Sequence, residues 1–260
     1  MTQWTLVDKW KNKPQGQVWR VKSESGELAY FKFAYPEQWY DAGPITGNEW
    51  LTRQLAKRVG LPCARVQRAT LIDGGKTLRG IVSLPRVHRG LTSWAALPDN
   101  VKRRAEAHVN KVDLLAGTVA FDSWLTNIDR GSGHNVILFP ALNGKYNWYL
   151  IDHGYCLYGC PRKWKDHHQQ DAYWRQVWKF YHIPQGWQRL ANKRRLMLMV
   201  ARIRAIPEAE IRKLVNSVPD PLYSSAIRRD TIDLLITRQR QLERILDTWL
   251  RYSGKKESSL

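Results

Sequence analysis

Two acidic segments and one amide carry the chemistry available to this sequence. Asp129 opens the small-residue loop Arg130-Gly131-Ser132-Gly133, which His134 and Asn135 close before the apolar run Val136-Ile137-Leu138-Phe139. A turn at Asn143-Gly144 separates that run from Trp148 to Ile151, which leads directly into Asp152-His153-Gly154. Two short apolar runs around an Asn-Gly turn predict a hairpin. A hairpin folds its two ends together, so Asn135 and Asp152 are expected side by side. A carboxylate and an amide oxygen make a hard-oxygen pair suited to Mg2+, and Asp129 beside them is a carboxylate able to orient a hydroxyl nucleophile. Phosphoryl transfer needs this division of labour, with a metal on the phosphates and a carboxylate on the attacking group.

The same chemistry needs a cation for the α- and β-phosphates. Lys32 lies mid-strand between Phe31 and Phe33, and Glu49, early in the next helical run, is the carboxylate able to hold its ammonium. Each residue alone has an ordinary explanation. A strand lysine commonly faces solvent, and a glutamate near a helix start complements the helix dipole. Asp before Arg is commonly a local cap or ion pair, and Asp-x-Gly is a turn signal. What joins them is their order: strand Lys, helix Glu, long helix, Asp loop, Asn, hairpin, Asp-x-Gly.

The elements that must position these groups follow from periodicity. Residues 17–22 and 28–33 read as strands around a turn at 23–27, and Pro36, Gly43, Pro44 and Gly47 mark a loop. Trp50, Leu51, Leu55 and Val59 fall at helical spacing over 48–59, and Gly60 stops that helix. Residues 66–71 and 78–84 are two more strands around Asp73-Gly74-Gly75. The first third is thus expected to be a sheet of about five strands with one helix inserted after the third. Beyond residue 100 the pattern is helical: one long helix over 101–125, further helices over 188–205, 208–217 and 228–252, and a helical return after Gly159. The composition shift near 85–98 divides an N-lobe, 1–88, from a helical C-lobe, 89–260, in an α+β fold.

Composition narrows the class. The 260 residues carry 42 Lys and Arg against 23 Asp and Glu, a net charge of +19 that attracts phosphate-rich partners without choosing among them. At 43% hydrophobic, the chain can build a core. It contains no apolar run of about 18 residues, and the first ten residues do not read as a signal peptide, so a cytoplasmic protein is expected. Cys63, Cys156 and Cys160 are too few and odd for a disulfide framework. Cys156 and Cys160 with His153, His167 and His168 have spacing a zinc site can use, but reduced thiols are the simpler reading. Many of the thirteen Trp adjoin cations, as in Trp10-Lys11, Trp19-Arg20, Trp164-Lys165 and Trp174-Arg175, a pattern found in nucleic-acid stacking platforms. Their dispersal along the chain favours core filling instead.

At these residues the chain resembles the HipA-like kinases, and within them a compact bacterial group. The likeness is carried by Tyr30-Phe31-Lys32-Phe33, Asn48-Glu49, Asn127-Ile128-Asp129-Arg130 and Leu150-Ile151-Asp152-His153-Gly154. Leu55 to Pro62, Val218-Pro219-Asp220 and the late helix with Leu235 and Arg238 support it, so it spans nearly the whole chain. The resemblance implies a bilobal protein-kinase-like fold and an ATP- and Mg2+-dependent transfer of the γ-phosphate to a hydroxyl, with a protein Ser or Thr as acceptor. It implies that Lys32 holds the phosphates with Glu49 bracing it, that Asp129 is the catalytic aspartate, and that Asn135 and Asp152 bind the metal. Lys13 and Gly16, in the connection from Lys11 to Gly16, would cover the nucleotide. Two departures stand out. The family pattern places the metal-binding Asn five residues after the catalytic Asp, where this chain has His134, and Asn135 comes sixth; a one-residue bulge in the Gly131–Gly133 loop is the expected remedy. No GxGxxG phosphate loop is present. An inactive nucleotide-binding pseudokinase and a basic nucleic-acid-binding protein remain the alternatives, and the charge also suits recruitment of an anionic partner such as nucleic acid or an RNA-bound protein.

Overall fold

Period-two patterning builds the first layer. In a computed structural model, which describes residues 3–13, 16–38, 43–86, 89–127, 129–157 and 182–257, five strands form one antiparallel sheet. They are β1 (Trp4–Lys13), β2 (Gly16–Ser23), β3 (Leu28–Phe33), β4 (Arg65–Asp73) and β5 (Lys76–Leu84), in the order β1-β2-β3-β5-β4. Trp19, Val21, Phe31, Phe33, Leu71, Leu78 and Val82 alternate to one face and form a core of their own. The opposite face takes the intervening positions: Val18 is paired with Lys32, and Lys32 with Ile81. Gly80 lets β5 close on β3 here, because a Cβ at that position would collide with the Lys32 carbonyl oxygen.

β1 departs from strict alternation. Its register against β2 shifts between Leu6 and Asp8 and again between Asp8 and Lys11. An extra residue in a strand re-aims the side chains beside it. Lys9 consequently lies over the Trp19 ring, 4.7 Å from its centroid, while Trp10 turns to Tyr30, with ring centroids 5.3 Å apart.

The helix expected after the third strand is α1 (Ile45–Arg58), whose first turn follows Pro44. Its apolar side does not join the sheet core. Leu51, Leu55, Ala56 and Val59 belong to the larger core of the second lobe, with Phe121, Trp124, Leu196 and Leu235.

The expected helix over 101–125 is three helices: α2 (Asp99–Arg103), α3 (Ala105–His108) and α4 (Val112–Trp124). The break has a tertiary cause. Val109 is extended and bridges Tyr146, and the Asn110 amide nitrogen donates to the Tyr146 carbonyl at 2.9 Å. The Asn110 side chain donates to Asn147 at 2.9 Å, and the Trp148 indole donates to the Asn110 carbonyl at 2.9 Å. Lys111 then takes a left-handed conformation, φ 54, to restart the chain as α4.

A second sheet, order β6-β7-β8, joins β6 (Thr92–Ser93) to the expected hairpin of β7 (Val136–Pro140) and β8 (Tyr146–Leu150). Among the described residues four helices follow: α5 (Trp187–Leu190), α6 (Lys193–Arg204), α7 (Glu208–Asn216) and α8 (Ser225–Glu257). α8 secures the ends of its neighbours. Buried Arg238 donates to the Ser123 and Trp124 carbonyls at the end of α4, at 2.5 and 3.2 Å. Gln239 donates to the Ile203 and Ile206 carbonyls at 2.7 and 2.8 Å. Among the described residues no helix is long and apolar enough to cross a membrane. The helical return expected within 158–181 lies outside the described residues.

Candidate active site

Lys32 leaves β3 on the face opposite Phe31 and Phe33, because neighbouring strand residues point to opposite sides. Its ammonium lies 3.0 Å from Asp152 Oδ1 and 3.4 Å from Glu49 Oε2. Burial alone would lower the Lys32 pKa, but Asp152 and Glu49 outweigh it and raise it above the ordinary lysine value. Glu49 is 2% exposed, and burial pushes its carboxyl above the usual range against the opposing pull of Lys32. Glu49 also accepts from the His153 backbone N–H at 2.5 Å, so one carboxylate ties the strand lysine to the Asp152 segment.

Asp152 follows β8 with φ 57, a left-handed conformation that costs a non-glycine residue about 1–2 kcal/mol. Sites of this kind persist where surrounding contacts overdetermine them, and here both neighbours are pinned. The Ile151 N–H donates to the Asn135 carbonyl at 3.1 Å, and the His153 N–H is held by Glu49. The His153 side chain is buried, and burial keeps its imidazole well below the ordinary histidine range, with Arg130 and Lys32 adding to the effect.

The Asp129 loop is built on a buried ion pair. Arg130 and Asp122 are both fully buried, joined Nε to Oδ2 at 2.9 Å and Nη2 to Oδ1 at 3.2 Å. The other guanidinium nitrogen donates to the Asn135 carbonyl at 2.8 Å and the Ile151 carbonyl at 3.4 Å, which fixes both ends of the β7–β8 hairpin to the loop. Asp122 also accepts from the Asn127 side chain at 2.7 Å, and Asn127 accepts from the Asp129 N–H at 3.1 Å. Sequence reading missed Asp122. Its signal was an acidic residue inside the otherwise uncharged stretch from Leu114 to Leu125.

After Asp129 the loop makes a turn in which the Gly133 N–H donates to the Arg130 carbonyl at 2.9 Å. This turn leaves His134 exposed and Asn135 buried. Asn135 Nδ2 donates to the Asp129 carbonyl at 2.8 Å and to Asp129 Oδ2 at 3.0 Å. With its amide nitrogen committed to Asp129, Oδ1 is the atom Asn135 has for a cation.

The structure therefore gathers Lys32, Glu49 and Asp152 on one side and Asp129 and Asn135 on the other, joined through the paired ends of β7 and β8. Lys13 and Gly16 stand at the β1–β2 turn, opposite each other in the strand register. Gly16 is buried, and its position meets Ile45, which also packs on Gly154, so the turn reaches the Asp152 segment. Cys63 and Cys156 are buried thiols, and burial pushes Cys63 up to about 12. Among the described residues no three His, Cys, Asp or Glu gather as a metal cluster. Cys160, His167 and His168 lie outside the described residues.

Three solved structures are similar to this chain. The proinflammatory kinase CtkA of Helicobacter pylori matches at a TM-score of 0.63 and 12% identity, over 98% of this chain and 97% of CtkA. The HipA, HipB and operator DNA complex of a Shewanella oneidensis toxin–antitoxin system matches at 0.49 and 13% identity, over 93% of this chain and 68% of the other. WaaP in complex with acyl carrier protein matches at 0.38 and 14% identity, over 92% and 89%. No protein-family model matches the sequence, and no curated protein matches it significantly. The likeness to CtkA establishes the fold: a bilobal α+β kinase-like architecture.

Proposed function

We propose that the chain is an ATP- and Mg2+-dependent phosphotransferase of the HipA-like kind, moving the γ-phosphate to a hydroxyl, with a Ser or Thr on a protein as acceptor. The observation that carries this reading is the Lys32 ammonium held 3.0 Å from Asp152 and 3.4 Å from Glu49, with Asn135 3.0 Å from Asp129 in the loop that enters the hairpin. Glu49 braces Lys32 so that its ammonium faces the α- and β-phosphates. Val18, Tyr30 and Trp10, on or turned to the same sheet face as Lys32, give the base an apolar seat, and Trp10 is half-exposed for that use. Lys13 and Gly16 border the phosphates at the β1–β2 turn. The donor set at Asn135 and Asp152, an amide oxygen and a carboxylate, fits Mg2+. A bound Mg2+ supplies charge neutralisation on the phosphate oxygens. Asp129 orients the acceptor hydroxyl and takes its proton, and Asn135 fixes the Asp129 carboxylate in place.

The nucleic-acid reading has less aromatic support here: of the tryptophans beside cations, Trp19 is buried in the sheet core and Trp10 packs half-exposed against Tyr30, while Trp164 and Trp174 lie outside the described residues.

The test is incubation with Mg2+ and γ-labelled ATP, comparing the native protein with Asp129→Ala and Asp152→Ala. Asp129→Ala should still bind nucleotide and lose roughly 10²- to 10⁴-fold in transfer, the usual contribution of a positioned base. Asp152→Ala should lose Mg2+-dependent binding as well. A native protein that neither binds nor consumes ATP ends the kinase reading. Binding without transfer to itself or to any hydroxyl acceptor makes the chain a pseudokinase.

A further inference from the structure

The segment joining α7 to α8 crosses from one lobe to the other. Arg68 of β4 donates to the Asp220 carbonyl at 3.1 Å. Arg228 of α8 pairs with the Asp220 carboxylate at 2.7 Å and donates to the Val215 and Asn216 carbonyls at 3.0 Å. The segment is thus gripped by the sheet and by the helices of the large lobe. Its one large buried side chain, Tyr223, is 2% exposed and lies against the first turn of α1. Gly47 makes room for the ring, since a Cβ there would overlap it.

The Tyr223 hydroxyl donates to Asn48 Oδ1 at 2.5 Å. Asn48 is fully buried, and its Nδ2 donates to the Gly154 carbonyl at 2.9 Å and the Cys156 carbonyl at 2.7 Å. Both hydrogens of that amide nitrogen are used, and both bonds hold the segment after Asp152. The next residue is Glu49, which holds Lys32 and the His153 N–H. Without the hydroxyl, Asn48 Oδ1 would be a buried acceptor lacking this donor, which is costly. The ready reliefs are an amide flip, which breaks the bonds to Gly154 and Cys156, or a shift of the first turn of α1, which carries Glu49 away from Lys32.

We infer that Tyr223 is a positioning residue: acting through Asn48, the interlobe segment before α8 sets the first turn of α1 and the segment after Asp152, and so keeps Glu49 on Lys32. This assignment rests on reading Lys32, Glu49 and Asp152 as the nucleotide site. It makes the C-terminal part of the chain a determinant of nucleotide affinity, although Tyr223 lies 175 residues from Asn48.

The test is hydrogen exchange followed by mass spectrometry on the full chain without nucleotide, for the native protein and Tyr223→Phe. The ring is kept and only the hydroxyl is lost. Peptides covering 45–52 and 151–157 should exchange about tenfold faster, a factor typical of losing one net hydrogen bond, while those of α4 and α6 stay unchanged. Gly47→Ala, which displaces the same ring, should reproduce the pattern, and the double variant should add little, since the two changes break one contact. With Mg2+ and ATP, Tyr223→Phe should raise KM for ATP severalfold and leave KM for the acceptor unchanged. Unchanged exchange at 151–157, or an equal increase through both lobes, overturns the inference. A native protein without turnover ends the kinase reading, and the exchange experiment still decides the role of Tyr223.

Discussion

A carboxylate with no water around it has to be matched charge for charge, and Asp122 shows what that demands. It faces Arg130 with two bonds at 2.9 and 3.2 Å, and both side chains are fully buried. Such a pair contributes little net stability when intact, because desolvation offsets the attraction, but removing one member strands the other. Here the arginine also carries the Asn135 and Ile151 carbonyls, so its loss loosens the loop bearing Asp129 and the entry to Asp152 together. Arg130→Met should destabilise the protein by roughly 3–5 kcal/mol, read as a lower urea midpoint at unchanged slope. Asp122→Leu in the same background should recover part of that loss, since the buried charge is then gone. A single variant within about 0.5 kcal/mol of the native protein would show that the pair does not organise the loop.

Secondary elements here follow local pattern until a tertiary partner overrules it. β2 and β3 were legible from their alternation, and β4 and β5 as two strand-like runs around a glycine turn. β1 was not, because acidic Asp8 interrupts the period-two series Trp4, Leu6, Trp10, and the register shifts turn Trp10 to Tyr30 instead of the core that holds Trp4. The helix over 101–125 was misread because nothing local stops it at Asn110, whose partners Tyr146, Asn147 and Trp148 are more than thirty residues away. The same distinction runs through the site. The candidates Lys32, Glu49, Asp129, Asn135 and Asp152 are singled out by type and order, and Asn48 by its place beside Glu49, whereas Asp122 and Tyr223 depend on contacts that spacing does not encode. The break after Asn110 also leaves a local cost. Lys111 sits at φ 54, where a side chain is disfavoured and glycine is not. Lys111→Gly should therefore stabilise the protein by about 1 kcal/mol, raising the melting temperature by roughly 2–4 °C for a chain of this size. A drop in melting temperature would mean that the lysine side chain offsets its own backbone strain.

At the scale of the molecule, packing does not follow chain order. The five-stranded sheet has one core, while α1, inserted between its third and fourth strands, contributes Leu51, Leu55, Ala56 and Val59 to the other. Burying each larger aliphatic side chain is worth roughly 1.5–3 kcal/mol, so α1 is bound to the large lobe by several such contributions. The end of α1 is fastened there too: Arg202 of α6 donates to the Val59 carbonyl at 3.0 Å, and Arg58 pairs with Glu210 of α7. Between the sheet and this helix stands the Lys32 to Glu49 contact at 3.4 Å. If the lobes move as nucleotide enters the proposed site, the sheet with Lys32 should move over an α1 that stays with the large lobe. Native-state hydrogen exchange in rising urea tests this. Amides of residues 51–58 should open together with those of α4, within about 1 kcal/mol, and β2, β3 and β5 should open as a separate unit at lower free energy. Co-opening of α1 with the strands instead would place the moving boundary on the other side of Glu49, so that Glu49 travels together with Lys32.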